Sequence, residues 1–230
     1  MIYEDALAQL FAESRSMLAR AGLSVRTQAS TEMQEEEMFP HRKRENHPVL
    51  STSHHDFAAD DAFSIMVDDE SGLAAGMACK HVRLGRDNLA NHLASSNRRF
   101  YGDGLVTANR SVAAQLSGSL AYQGELFLLE KWRQGKAPVS AIMHLAHSLC
   151  ALKWNADWHF AFMPVAILHK SPAWGFHRHQ LCTQKYHESI PLRSSLECLV
   201  YSSRQEICER AETISEQPNV LHELSARSNS

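Results

Sequence analysis

Between Gly124 and Phe176 the sequence changes its hydrophobic period several times, and few folds accommodate that order. GELFLLEKW (124–132) is an apolar, strand-like run that ends in charge. A short basic turn follows, Arg133-Gln134-Gly135-Lys136-Ala137. Pro138 then opens VSAIMHLAHSLCAL, where apolar residues recur at helical spacing. A second apolar run, Trp158 to Met163, leads into another helical pattern that closes on Trp174-Gly175-Phe176. Strand, glycine turn, helix, strand, helix is a βαβ-type unit. Its first turn falls where a helix N-terminus presents unpaired amides to an anion, a geometry suited to a diphosphate.

The remaining segments read as support for that unit. Tyr3 to Ala21 has helical spacing and stops at Gly22; Leu23 to Ala29 is a short polar strand. Thr31 to Glu45, dense in charge, is a solvated helix or helix-loop. Phe63 to Val67 and Leu73 to Arg83 form a hairpin around Asp68-Asp69-Glu70-Ser71-Gly72. A helix over 88–100 and a helical or mixed segment over 106–120 precede the central unit. Strands over 181–188 and 196–202 and a helix over 205–214 follow it. The expected class is α/β (α+β), with a mixed, mostly antiparallel sheet and helices on both faces. It forms one domain over residues 1–212, and 213–230 is a polar, loosely held tail.

Composition narrows the function. A net charge of -3 supplies no basic excess for a general nucleic-acid binder. Five cysteines, odd in number and without a CxxC pair, indicate reduced thiols rather than a disulfide framework or a thiolate zinc site. MIYEDALAQL lacks the pattern of a secretory leader, and no apolar run approaches the ~18 residues of a membrane span. The expectation is a cytoplasmic protein without nucleic-acid or membrane partners. A homodimer is the default assembly.

The order of elements from about Phe63 to Ser202, and most closely from Gly124 to Phe176, resembles the GNAT (N-acetyltransferase) superfamily. In that family the central strand enters a turn of the form Arg/Gln-x-x-Gly-x-Gly/Ala, which holds the diphosphate of coenzyme A. The corresponding stretch is Trp132-Arg133-Gln134-Gly135-Lys136-Ala137-Pro138. With Gly135 and Ala137 at the two small positions, Trp132 comes first; with Arg133 first, Lys136 and Pro138 fall at the small positions. The resemblance implies acetyl-CoA or another acyl-CoA as co-substrate, lying against Leu128, Leu129, Arg133, Gln134, Gly135, Lys136, Ala137 and Val139. It implies an N-acyltransferase, most simply an acetyltransferase, that acts by direct transfer to a small-molecule or peptide amine. Its acceptor would be shaped by segment 31–62 and the loops around 100–105 and 186–195.

Transfer from a thioester to an amine needs a base for the amine, a donor for the developing oxyanion and a proton for the leaving thiolate. Glu125 and Glu130, on opposite faces of the central strand, are the candidate bases. A main-chain amide near Leu128 or Leu129 would hold the oxyanion. Ser171 stands four residues before Gly175, where the family carries a Tyr that reprotonates the thiolate. Two other readings compete. One is an acyl-CoA-binding protein without turnover. The other is a metalloprotein built on some of the fourteen histidines. His144 and His147, at i and i+3, lie in a helix that mostly packs, and His159 reads as a buried strand histidine. No metal ligand is therefore assigned.

Overall fold

The computed structural model describes residues 2–29, 31–43, 46–51, 53–54, 60–101, 105–108, 110–186 and 196–229. One eight-stranded sheet runs through it. The strands are β1 (Ser24–Gln28), β2 (Ala62–Asp69), β3 (Gly72–Asn88), β4 (Leu105–Ala108), β5 (Ser117–Leu128), β6 (Trp158–Pro164), β7 (Arg178–Tyr186) and β8 (Leu196–Ser203). Their spatial order is β1-β2-β3-β5-β6-β8-β7-β4. Every neighbouring pair is antiparallel except β5 and β6, which are parallel. That exception is the crossover expected of the central unit, since parallel neighbours need a long connection across a face.

The connection is α4 (Val139–Trp154), apolar on nearly all sides and buried accordingly; Ala141, Ile142, Leu145 and Ala146 lose all contact with water. It packs against α1 (Ile2–Arg20), whose Leu7, Leu10 and Leu18 are fully buried, and against α5 (Arg204–Glu216). A capping box starts α5. The Ser203 hydroxyl accepts from the Glu206 amide, and the Ser203 amide donates to the Glu206 carboxylate at 2.8 Å. The opposite face of the sheet carries a smaller core, with Leu50, Leu89, Leu116, Leu120 and Leu199 beneath α3 (Leu89–Tyr101) and beside α2 (Glu32–Arg42).

Two expectations change. Residues 213–229 are not a loose tail: α5 runs through Glu216, α6 (Asn219–Asn229) follows, and its Leu221 is buried in the main core. The polarity of 213–230 reflects helices wetted on one side. Residues 106–120 are mixed rather than helical, the second of the two forms expected there, with β4, a 3₁₀ turn at Ala113–Gln115 and the start of β5. After β6 the chain makes a 3₁₀ helix, Val165–Lys170, and a turn ending at Gly175, where a second α-helix was expected.

Candidate active site

β5 and β6 pair only from Leu120↔Trp158 to Tyr122↔Phe160, although β5 continues to Leu128 and β6 to Pro164. A bulge parts them. Between Ala78↔Gly124 and Gly76↔Phe127, β3 contributes Met77 while β5 contributes both Glu125 and Leu126. Glu125 takes the left-handed conformation, φ 55°. An extra residue bends its strand and ends pairing locally. A cleft of about 530 Å³ fills the opening.

The carboxylate of Glu125 holds the bulge in place. It lies 2.5 Å from Nη1 of Arg42, with both side chains almost wholly buried, and accepts from the His47 amide at 2.7 Å. Helix α2 and the segment after it are thereby fixed to the wall of the cleft. His47 also lines the cleft, and its ring bonds the Tyr101 hydroxyl.

A layer of neutral histidines closes the inner end. Gln123, on the cleft wall, places Nε2 2.9 Å from His147 Nδ1 and 3.3 Å from His159 Nδ1. His147 Nε2 donates to the Trp174 carbonyl at 3.1 Å, and His144 Nδ1 donates to the Ser140 carbonyl at 2.7 Å. Burial pushes the His144 and His159 imidazoles down to about 3 and His147 well below its ordinary value. An uncharged layer suits a site far from water. Among the described residues, no group of three or more His, Cys, Asp or Glu side chains is arranged to hold a metal ion.

Outside the cleft mouth, the turn before α4 is tied to the β2–β3 hairpin. Trp132 Nε1 donates to Asp69 Oδ2 at 2.6 Å, and Lys131 Nζ lies 2.7 Å from the same oxygen. The Lys131 ammonium, then Ser71 and Trp132, holds the Asp69 carboxyl well below the usual carboxylate range. Gln134 and Gly135 both have positive φ, 59° and 80°, which curls the backbone toward the start of α4.

Among the residues expected to bind a cofactor, Leu128, Arg133 and Val139 line the cleft. Gln134, Gly135 and Lys136 are exposed on the turn. Arg133 Nε donates to the Leu128 carbonyl at 2.9 Å, and its guanidinium lies over Phe127. The Leu129 amide is engaged with the Ala74 carbonyl, and the Ala137 amide with that of Trp132. Of the residues expected to carry chemistry, only Glu125 lines the cleft. Glu130 lies in an exposed 3₁₀ turn past the end of β5, not on the strand. Ser171 is buried in the turn before Gly175, where its carbonyl accepts from Phe176. Sequence reasoning did not find Arg42, His47, Met77 or Glu197 in the site. These residues arrive from segments whose spacing carries no signal of convergence. Residues 102–104 and 187–195, expected to shape the acceptor site, lie outside the described residues.

The overall fold is similar to that of solved structures. An agmatine N-acetyltransferase mutant in its apo form superposes with a TM-score of 0.51 at 12% identity, over 79% of this chain and 99% of that one. The chain has the GNAT fold. Two further GNAT-fold structures match less closely. A polyamine N-acetyltransferase of Drosophila melanogaster gives a TM-score of 0.46 at 12% identity, over 79% of this chain and 99% of that one. A CoA-dependent acyl-homoserine lactone synthase with SAM and isopentyl-CoA gives 0.42 at 11% identity, over 90% of this chain and 99% of that one. No family model and no curated protein matches the sequence, so its GNAT fold is carried by a divergent sequence. No helix among the described residues is long and apolar enough to cross a membrane.

Proposed function

We propose that this protein is an N-acyltransferase that takes its acyl group from an acyl-CoA. The observation that carries this reading is the opening between parallel β5 and β6, beside a positive-φ turn at the start of α4. The thioester would lie along the inner edge of β5, with its diphosphate over the turn near Arg133 and Lys136. The helix dipole and both cations favour negative charge there. The acceptor amine would attack the thioester carbonyl carbon, the C–S bond would break, and the nitrogen would give up its proton as the thiolate gains one. The match to an enzyme that acts on agmatine supports a small amine as acceptor.

Of the carboxylates expected to act as base, Glu125 lines the cleft. To accept a proton it would leave the buried Arg42 guanidinium without its counter-charge, which is costly. Its role in this reading is to position His47 and the bulge, with its charge balanced by Arg42. The test is thermal shift with CoA and acyl-CoAs, with Arg133→Ala and Lys136→Ala alongside. At ligand a hundredfold above its dissociation constant, binding should add ~2.7 kcal/mol to stability. Binding by none of these ligands overturns the proposal.

A second reading, an acyl-CoA-binding protein without turnover, is favoured by the occupied Ala137 amide, the missing amide of Pro138 and the position of Ser171 in its turn. Tight binding without product across a panel of primary amines and polyamines would select it.

A further inference from the structure

The two sides of the cleft differ in chemistry. On the α4 side the wall is Met77, Met143, Ala161, Met163 and Phe176, all buried members of the main core. None carries a hydrogen-bonding group. On the opposite side stand His47, Glu125 and Glu197, with the ring of Tyr122. Glu197 alternates with Leu199 along β8, which places it on the face of the smaller core. Gln123 and Trp174 add polar groups to the α4 side, but the stretch of wall formed by Met77, Met143, Ala161 and Met163 has none.

The apolar side is also deep and ends abruptly. Val139 and Met143 both line it, one turn apart on α4, which sets a depth of about 6 Å along the helix. One turn further, His147 meets Gln123 and His159, and Phe176 packs edge-on against the His147 ring. An acetyl group presents one methyl to such a wall. Three methionines there offer flexible, polarisable surface, which adapts to an alkyl chain and gives nothing to a polar ligand.

Resting on the acyl-CoA reading above, we propose that the donor carries an aliphatic acyl chain well beyond acetyl, of medium length. Its chain lies among Met77, Met143 and Met163 and stops at the Gln123–His147–His159 layer. This departs from the acetyl group that the sequence resemblance favours.

Titration with CoA, acetyl-CoA and octanoyl-CoA tests the assignment. Each buried methylene is worth about fourfold in affinity. With only part of the chain enclosed, octanoyl-CoA should still bind at least tenfold more tightly than acetyl-CoA. Ala161→Leu, which fills the apolar side, should erase most of that preference while leaving the affinity for CoA itself within about twofold. Met163→Ala serves as a second variant and should shift the preference toward decanoyl-CoA. Equal affinity for acetyl- and octanoyl-CoA, or equal weakening of CoA and octanoyl-CoA by Ala161→Leu, overturns the chain-length assignment and leaves the acyl-CoA reading standing. Failure of CoA and every thioester to bind overturns both.

Discussion

Glu125 Oε2 sits 2.5 Å from Nη1 of Arg42, eighty-three positions earlier in the chain, with side-chain exposures of 5% and 3%. A buried pair of this kind is destabilising when halved and much less so when removed whole. Arg42→Met and Glu125→Gln should each cost about 3–5 kcal/mol in urea unfolding. The double variant Arg42→Met/Glu125→Gln should cost clearly less than the sum. Additive losses would mean that the two groups do not support each other.

Acid should unfold this protein early. His144, His147 and His159 are held neutral by burial, His144 and His159 down to about 3. In the unfolded chain they take up protons near 6.5, so below that pH the unfolded state binds more protons and stability falls as pH drops. Each unit of pH below 6.5 removes up to about 1.4 kcal/mol per histidine, about 4 kcal/mol for three. Thermal melts from pH 7 to 4.5 should show a steep fall below about 6. His159→Gln should reduce the slope by about a third.

Gly175 has φ 93°, and a Cβ there would come within 2.7 Å of His147 Cδ2. Gly175→Ala combines backbone strain with a collision against a ring already bonded on both nitrogens. It should lower stability by about 2 kcal/mol or more. A melting temperature within a degree of the parent's would show that the layer yields easily.

Ser203→Ala removes the capping box of α5. The expected loss is about 1 kcal/mol, read by chemical denaturation, with no change in affinity for any acyl-CoA. A change in affinity would show that the start of α5 communicates with the cleft.

The parts of this fold that could be read in the sequence are those set by local physics. The hairpin at 68–72, the helix after Pro138 and the closing strands follow from turn chemistry and period, and the structure has them all. Residues 213–229 misled because one-sided burial looks polar when residues are averaged. Glu130 misled because β5 ends at Leu128, and a strand boundary is set by its neighbour's hydrogen bonds rather than by its own residues. The site was legible on one side only. Arg133 and Val139 belong to a continuous segment. Arg42, Met77 and Glu197 enter through tertiary contacts that no spacing announces. The histidines of α4 were correctly read as packed, but their union with Gln123 needed the fold.

Because β5 and β6 part after three paired positions, residues 123–128 and 161–164 face each other without completing a ladder. A guest with its own amides can stand between them as a temporary strand and knit the sheet's two halves into one. Occupancy would then be felt far from the mouth, as slower amide exchange along both rims and a stiffer molecule throughout.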